Sequence, residues 1–263
     1  MSEQIIGFIG LGVMGEPMAG HLLDKGFRVV SCAHRNREPF DRLAPKGLIE
    51  VDNARAVGEQ ADILMSMVFT EEQNDAILRG PNGAFASLKP GSVVIVMSTV
   101  TPAYCQGLAE EANSKGIAVL DCPVSGMPIA AQEGTLSLLI GGDESAIEKS
   151  RDALSAFGNI MPCGALGSGQ LTKLGNNSLF MVQVMAIQQI CSMLETYDVD
   201  VNVFMNNLNQ STGRSWVSQN LPPRKEVIKW PAMPIKDLTA ALDAAKANNM
   251  AMPLIQHVLD TGL

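Results

Sequence analysis

Gly10-Leu11-Gly12-Val13-Met14-Gly15 sets three glycines at the G-x-G-x-x-G spacing. Each glycine has a separate physical task. Gly10 permits a tight turn, Gly12 lets the backbone approach a pyrophosphate, and Gly15 lets a helix pack closely on a strand. The apolar run Ile5 to Ile9 precedes the motif, and a helix-like stretch from about Val13 to Lys25, closed by Gly26, follows it. A helix starting there turns free N–H groups and its positive dipole end toward the phosphates, so all six residues from Gly10 to Gly15 are expected to contact a dinucleotide. A glycine-rich turn with no ligand is the alternative.

The end of the second strand, Arg28 to Ala33, normally selects the cofactor, because an acid there binds the ribose hydroxyls of NAD. This chain reads Ser31-Cys32-Ala33-His34-Arg35-Asn36-Arg37, with no carboxylate before Glu38. Forked guanidinium groups suit a 2′-phosphate. NADP is therefore the expected cofactor, with NAD possible, and His34, Arg35, Asn36 and Arg37 are expected around its ribose. A solvated basic turn is the competing reading, since Glu38 is close by. Met67 and Val68, closing the strand Ile63 to Val68, are also expected to contact the cofactor.

Further stretches follow in order. Asp121-Cys122-Pro123-Val124-Ser125-Gly126 leads to Glu133-Gly134-Thr135-Leu136. Gly167-Ser168-Gly169-Gln170-Leu171-Thr172-Lys173-Leu174-Gly175-Asn176-Asn177 comes next, and Ile235-Lys236-Asp237-Leu238 comes last. With Gly7 to Ala19, these stretches resemble the motifs of the β-hydroxyacid dehydrogenases, the group that includes 3-hydroxyisobutyrate dehydrogenase and the tartronate and glyoxylate/succinic semialdehyde reductases. The resemblance runs in the family's order over nearly the whole chain. It implies hydride transfer between a nicotinamide cofactor and a small β-hydroxy acid or its semialdehyde, in a homo-oligomer.

By the same resemblance Lys173 is the general acid/base, and Asn177 supports the substrate. Their i, i+4 spacing puts them on one helix face, and burial near a cationic ring would lower the lysine's pKa. Ser125 and the Gly126 backbone would hold the substrate carboxylate, as a hydroxyl and free N–H groups in a turn can; a plain β-turn is the alternative. Ser98-Thr99 would lie near the nicotinamide, or else cap the helix that starts at Pro102. Lys236 would reach the cofactor with Asp237 beside it in a cleft between domains, or the pair would form a solvated helix face.

Some positions depart from the family pattern. Met127 and Pro128 follow Gly126 where a second glycine is usual, which adds bulk, removes an N–H and alters the expected substrate pocket. Val96 stands where Asp is common. The chain stops at Leu263, where relatives usually continue with another helical stretch, so exposed apolar surface is expected there. An imine reductase of the same architecture is the rival enzyme, although Lys173 argues against it. A non-catalytic cofactor-binding protein is the rival of another class.

The elements that must position these residues alternate. Strand-like runs Ile5–Ile9, Arg28–Ala33, Ile63–Val68, Val93–Met97 and Ile117–Leu120 are separated by helix-like segments that include Glu71–Arg79 and Pro102–Ser114. A further β-α-β pattern follows, from Leu136–Ile140 through Glu144–Phe157 to Asn159–Cys163. Such alternation implies a Rossmann-type, doubly wound, mostly parallel α/β sheet. After a glycine-rich joint, Gln170 to about Thr196 reads as one long helix, and breaks follow at Pro222-Pro223, Pro231, Pro234 and Pro253. The expected domains are 1–165, binding the cofactor, and 166–263, all helical, for substrate and oligomerisation.

The 263 residues are 46% hydrophobic and 17% charged, with a net charge of −8. That composition suits a filled core and repels nucleic acid phosphates. Five cysteines without a C-x-x-C pair support neither a disulfide framework nor a metal site, and reduced thiols fit the cytoplasm. The N-terminus lacks the basic start of a signal peptide. With no run of about 18 uninterrupted apolar residues, no membrane partner is expected either.

Overall fold

The structure, a computed structural model, describes residues 4–33, 36–221 and 232–262. Two compact units divide the chain, residues 1–173 and 174–263. The boundary falls inside the longest helix.

The first unit runs β1 (Ile5–Ile9), α1 (Gly15–Asp24), β2 (Arg28–Ser31), α2 (Glu38–Leu43), β3 (Ile49–Glu50), α3 (Ala54–Gln60), β4 (Ile63–Ser66), α4 (Glu71–Leu78), β5 (Val93–Val96) and α5 (Pro102–Asn113). It continues through β6 (Ala118–Asp121), β7 (Val124–Ser125), α6 (Met127–Glu133), β8 (Leu136–Gly141), α7 (Glu144–Leu154) and β9 (Gly158–Gly164) to the start of α8 (Ser168–Glu195). The strands lie in the order β3-β2-β1-β4-β5-β6-β8-β7, with β9 also paired to β8. From β3 to β6 every pairing is parallel. The far edge breaks this rule, because β8 runs antiparallel to β6 and to β7 while β9 is parallel to β8.

Parallel strands are covered on both faces, so they are apolar throughout instead of alternating. In β5, Val93 and Ile95 enter one core with Phe8, Met18, Leu22 and Leu120. Val94 and Val96 enter the opposite core with Val57, Leu64, Leu78 and Leu108. All of these side chains are buried, at about 1.5–3 kcal/mol for each large one. The helices are started by local polar side chains. Asn53, Thr70, Thr101 and Asp143 cap α3, α4, α5 and α7.

The second unit continues α8 and adds α9 (Val201–Leu208), α10 (Trp216–Asn220), α11 (Ala232–Ala247) and α12 (Pro253–Gly262). Met181, Leu238, Ile255 and Val258 join α8, α11 and α12 in its core. Of the expected proline breaks, the one at Pro253 falls between α11 and α12, whereas Pro234 does not break α11. Pro253 starts α12, and Pro234 lies in the first turn of α11, where a missing N–H costs no helix bond. Pro222, Pro223 and Pro231 lie outside the described residues. By length and composition α8 could cross a membrane, and little of its most apolar stretch is buried within the chain.

Candidate active site

The strand β1 lies between β2 and β4, so the sheet order reverses there, and the crevice beyond the carboxyl ends of such strands is where ligands bind in open α/β sheets. The glycine turn occupies that crevice. Gly10 has φ +105°, and a Cβ on it would run into the Met67 carbonyl and lie 3.2 Å from Val68 Cγ1. A Cβ on Gly15 would collide with the Gly10 carbonyl. Both glycines are therefore demanded by the turn's own packing. Gly12 differs, since a Cβ there meets nothing within 4 Å. Leu11 and Met14 pack toward the core, and Val13 points outward. Unlike α3, α4, α5 and α7, α1 has no side-chain cap. Open space at Gly12 beside an uncapped helix start fits a dinucleotide's phosphates.

After β2, His34 and Arg35 lie outside the described residues. The Asn36 side chain accepts the Glu38 N–H at 3.0 Å. Arg37 makes a two-pronged pair with Glu50 at 2.5 and 2.6 Å, and its Nε lies 3.0 Å from Asp41. Hydrogen bonding to Glu50 raises the guanidinium further above its usual range, and the same bonds depress the Glu50 carboxyl. The fork expected to clamp a phosphate is thus engaged by carboxylates.

Beyond β4 and β5, Met67 donates its N–H to Ile9 at 2.8 Å, which ties this segment to β1. Ser98 is buried. Its hydroxyl accepts the Val68 N–H at 3.2 Å and the Asn74 amide at 3.1 Å, while Asn74 accepts the Ser66 hydroxyl at 2.8 Å. Ser98 therefore braces the loop ends. Half-buried Thr99 follows it, and the helix cap considered for this pair is supplied by Thr101.

The turn at 125–127 lies at the antiparallel edge. Ser125 ends β7, Gly126 has φ +135°, and Met127 has φ +63° with half of its side chain exposed. Left-handed backbone is costly for a residue with a Cβ. A Cβ at Gly126 would lie 2.5 Å from that of Ala130, so glycine is required there. The turn opens α6, which also lacks a side-chain cap. His21 on α1 anchors the other end of α6, its Nε2 lying 3.0 Å from the Ala131 carbonyl and 3.1 Å from that of Gln132.

Lys173 lies half-buried near the start of α8, one turn before Asn177. In the second unit the Asn177 amide donates to Asp237 at 2.6 Å, and Lys236 Nζ lies 2.9 Å from the same carboxylate. Asp237 is buried. Asp237 thus faces inward and holds Asn177, and Lys236 beside it is only partly exposed.

Residues that sequence reasoning passed over complete the arrangement. Asp121, fully buried, accepts the N–H groups of Gly167 and Gln170, each at 2.7 Å. Gln170 donates to the Ser98 carbonyl at 2.9 Å and accepts the Val100 N–H at 3.1 Å. Burial pushes the Asp121 carboxyl up, against the pull of these N–H groups. It also pushes up the thiols of Cys105 and Cys122, and all five cysteines are free. One signal was available: Asp121 is a charge at the end of an otherwise apolar strand. Its partners, 46 and 49 residues away, stand in a stretch that resembles a family motif, but nothing in the sequence pairs them with Asp121.

Residues 5–167 match the NAD-binding domain of 6-phosphogluconate dehydrogenase, and residues 167–261 match the NAD-binding domain of NADP-dependent 3-hydroxyisobutyrate dehydrogenase. The chain is 32% identical to the oxidoreductase YkwC of Bacillus subtilis, covering 95% of this chain and 89% of that protein. It is 31% identical to L-threonate dehydrogenase of Cupriavidus necator, covering 95% and 86%. The 3-hydroxyisobutyrate dehydrogenase of Mycobacterium tuberculosis, solved with L-serine, superposes with a TM-score of 0.87 at 28% identity, over 98% of this chain and 91% of that one.

Proposed function

The chain belongs to the β-hydroxyacid dehydrogenases, which are NAD(P)-dependent oxidoreductases, and from that premise we propose that it oxidises the β-hydroxyl of a small carboxylate, or reduces the matching semialdehyde, with NADP(H) preferred. The relatives' names point to the substrate class, since L-threonate and 3-hydroxyisobutyrate are both small hydroxy acids. Bound nicotinamide supplies or accepts the hydride.

The protein's residues do the remainder. Gly10 to Gly15 and the open start of α1 hold the phosphates. Ser98 braces the loops beside Thr99, near the nicotinamide. Ser125 and the N–H groups of Gly126 and Met127 receive the substrate carboxylate. Lys173 takes the hydroxyl proton during oxidation and returns one to the carbonyl oxygen during reduction. Asn177 is held by Asp237, and the family resemblance assigns it to the substrate and Lys236 to the cofactor. One observation carries this reading above the others. Gln170, three residues before Lys173 on α8, is bonded to Ser98 at the strand ends where the glycine turn also lies.

We also read the exposed apolar residues of α8 as the interface with a second copy of the chain. Asn176, Asn177, Gln183, Gln188 and Gln189 interrupt the same helix. Burying their amides in lipid without partners would be costly.

The test is nicotinamide absorbance with a panel of β-hydroxy acids and semialdehydes. Lys173→Ala is expected to lower kcat by about 100- to 10,000-fold while NADPH binding stays near wild type. Lys173→Arg should not restore turnover, because guanidinium keeps its proton near neutral pH. An alanine variant retaining more than about a tenth of wild-type kcat removes Lys173 from the mechanism.

A further inference from the structure

We propose that Asp121 and Gln170 are the positioning residues that set where Lys173 sits, the carboxylate serving as a cap for α8 that comes from the sheet instead of from the chain just before the helix. The proposal rests on the reading of Lys173 as acid/base.

Other capped helices of the first unit take their caps from the residue immediately before them, Asn53, Thr70, Thr101 or Asp143. A local cap satisfies the first N–H groups but ties a helix only to its own loop. The start of α8 is bound otherwise. Asp121 ends β6, and its two oxygens accept from Gly167 and Gln170 on either side of the helix start. The space for this is built in. A Cβ on Gly141 would lie 2.5 Å from Asp121 Oδ1, and one on Gly169 would lie 2.8 Å from Oδ2 and run into the Leu139 carbonyl. Gln170, also fully buried, adds a second strut through its two bonds to Ser98 and Val100 after β5.

Burying an ionised carboxylate costs more than a neutral local cap would. What the arrangement adds is register, because the helix start cannot slide or rotate relative to the ends of β5 and β6. Lys173 follows Gln170 by three residues, on the same face and about 4.5 Å further along the axis. Its position is fixed by that first turn. A displacement of about 1 Å at a reacting group can cost about 100-fold in rate.

Asp121→Asn keeps the shape but turns one acceptor into a donor facing an N–H. Gln170→Met keeps the bulk and removes both struts. Each variant is compared with the full-length wild type for kcat, KM, the NADPH dissociation constant and thermal midpoint. The reactivity of Lys173 toward acetic anhydride across pH is read by peptide mass. The expected result is a kcat about 10- to 100-fold lower and a shifted Lys173 labelling profile, with KM and NADPH affinity within about threefold. Lowered stability with kcat and labelling at wild-type values would overturn the proposal, as would a kcat loss matched by an equal loss of NADPH affinity. If Asp121→Asn does not fold, Gln170→Met decides by the same criteria. If the wild type turns over nothing in the panel, the functional reading falls, and the labelling profile still decides whether Asp121 and Gln170 position Lys173.

Discussion

At the scale of single residues, Arg37 is where two anions would compete. Its guanidinium is already forked onto Glu50, with Asp41 beside it. An incoming 2′-phosphate would have to share or displace that fork, and hydrogen bonding from Arg37 holds the Glu50 carboxyl below its ordinary value. Removing the competitor's charge should therefore favour the phosphate-bearing cofactor alone. Glu50→Gln is expected to tighten NADPH several-fold and leave NADH unchanged, one charge-assisted contact being the difference between the two ligands. Fluorescence titration of both cofactors measures this. An equal change for both, or none for NADPH, would show that Arg37 does not face the 2′ position. The competition could not be read from sequence, since Glu50 lies 13 residues beyond Arg37 and meets it only because β3 pairs with β2.

At the scale of elements, legibility followed length and apolarity. Strands β1, β2, β4, β5, β6, β8 and β9 are short hydrophobic runs between turn residues, and their positions were readable to within a few residues. The two-residue strands β3 and β7 carry no periodic signal and exist through their neighbours. No helix was expected over α6, where a plain β-turn was the alternative at Ser125-Gly126, yet Pro128 lies in the first turn of α6, a place where proline also starts helices. That entry holds two successive residues at positive φ, Gly126 and Met127. Met127→Gly should remove about 1–2 kcal/mol of left-handed strain and restore about 0.4–1 kcal/mol of unfolded-chain freedom, for a net gain of about 0.5–1 kcal/mol. A urea midpoint would register it. KM for hydroxy acids should change more than NADPH affinity, because only the substrate turn is altered. A loss of stability would mean that packing of the exposed thioether outweighs the strain.

At the scale of the whole molecule, α8 leaves several large apolar side chains exposed among the described residues. Leu179 is 63%, Ile190 40% and Met193 53% exposed. They are 11 and 14 residues from the first, and Ala186, also exposed, lies seven away. At 100° per residue these positions fall within about 40° of one line, the narrow stripe by which helices pack on one another. Met181, Val184 and Cys191, in contrast, are buried within the chain. The helix thus has one apolar side covered by its own chain and another exposed, the side proposed above as the interface with a second copy. Covering each of these half-exposed side chains would contribute half of the roughly 1.5–3 kcal/mol that full burial gives, and two copies meeting along one stripe would double the number covered. Leu179→Glu with Met193→Glu puts carboxylates into that seam. The expected outcome in sedimentation velocity at micromolar concentration is a smaller species than wild type, with far-ultraviolet circular dichroism unchanged. These substitutions leave the α8 start and Lys173 untouched, so residual NADPH binding would show that the first unit persists. A wild-type chain that sediments as a stable, monodisperse monomer would end the interface reading, and the stripe would then need another explanation.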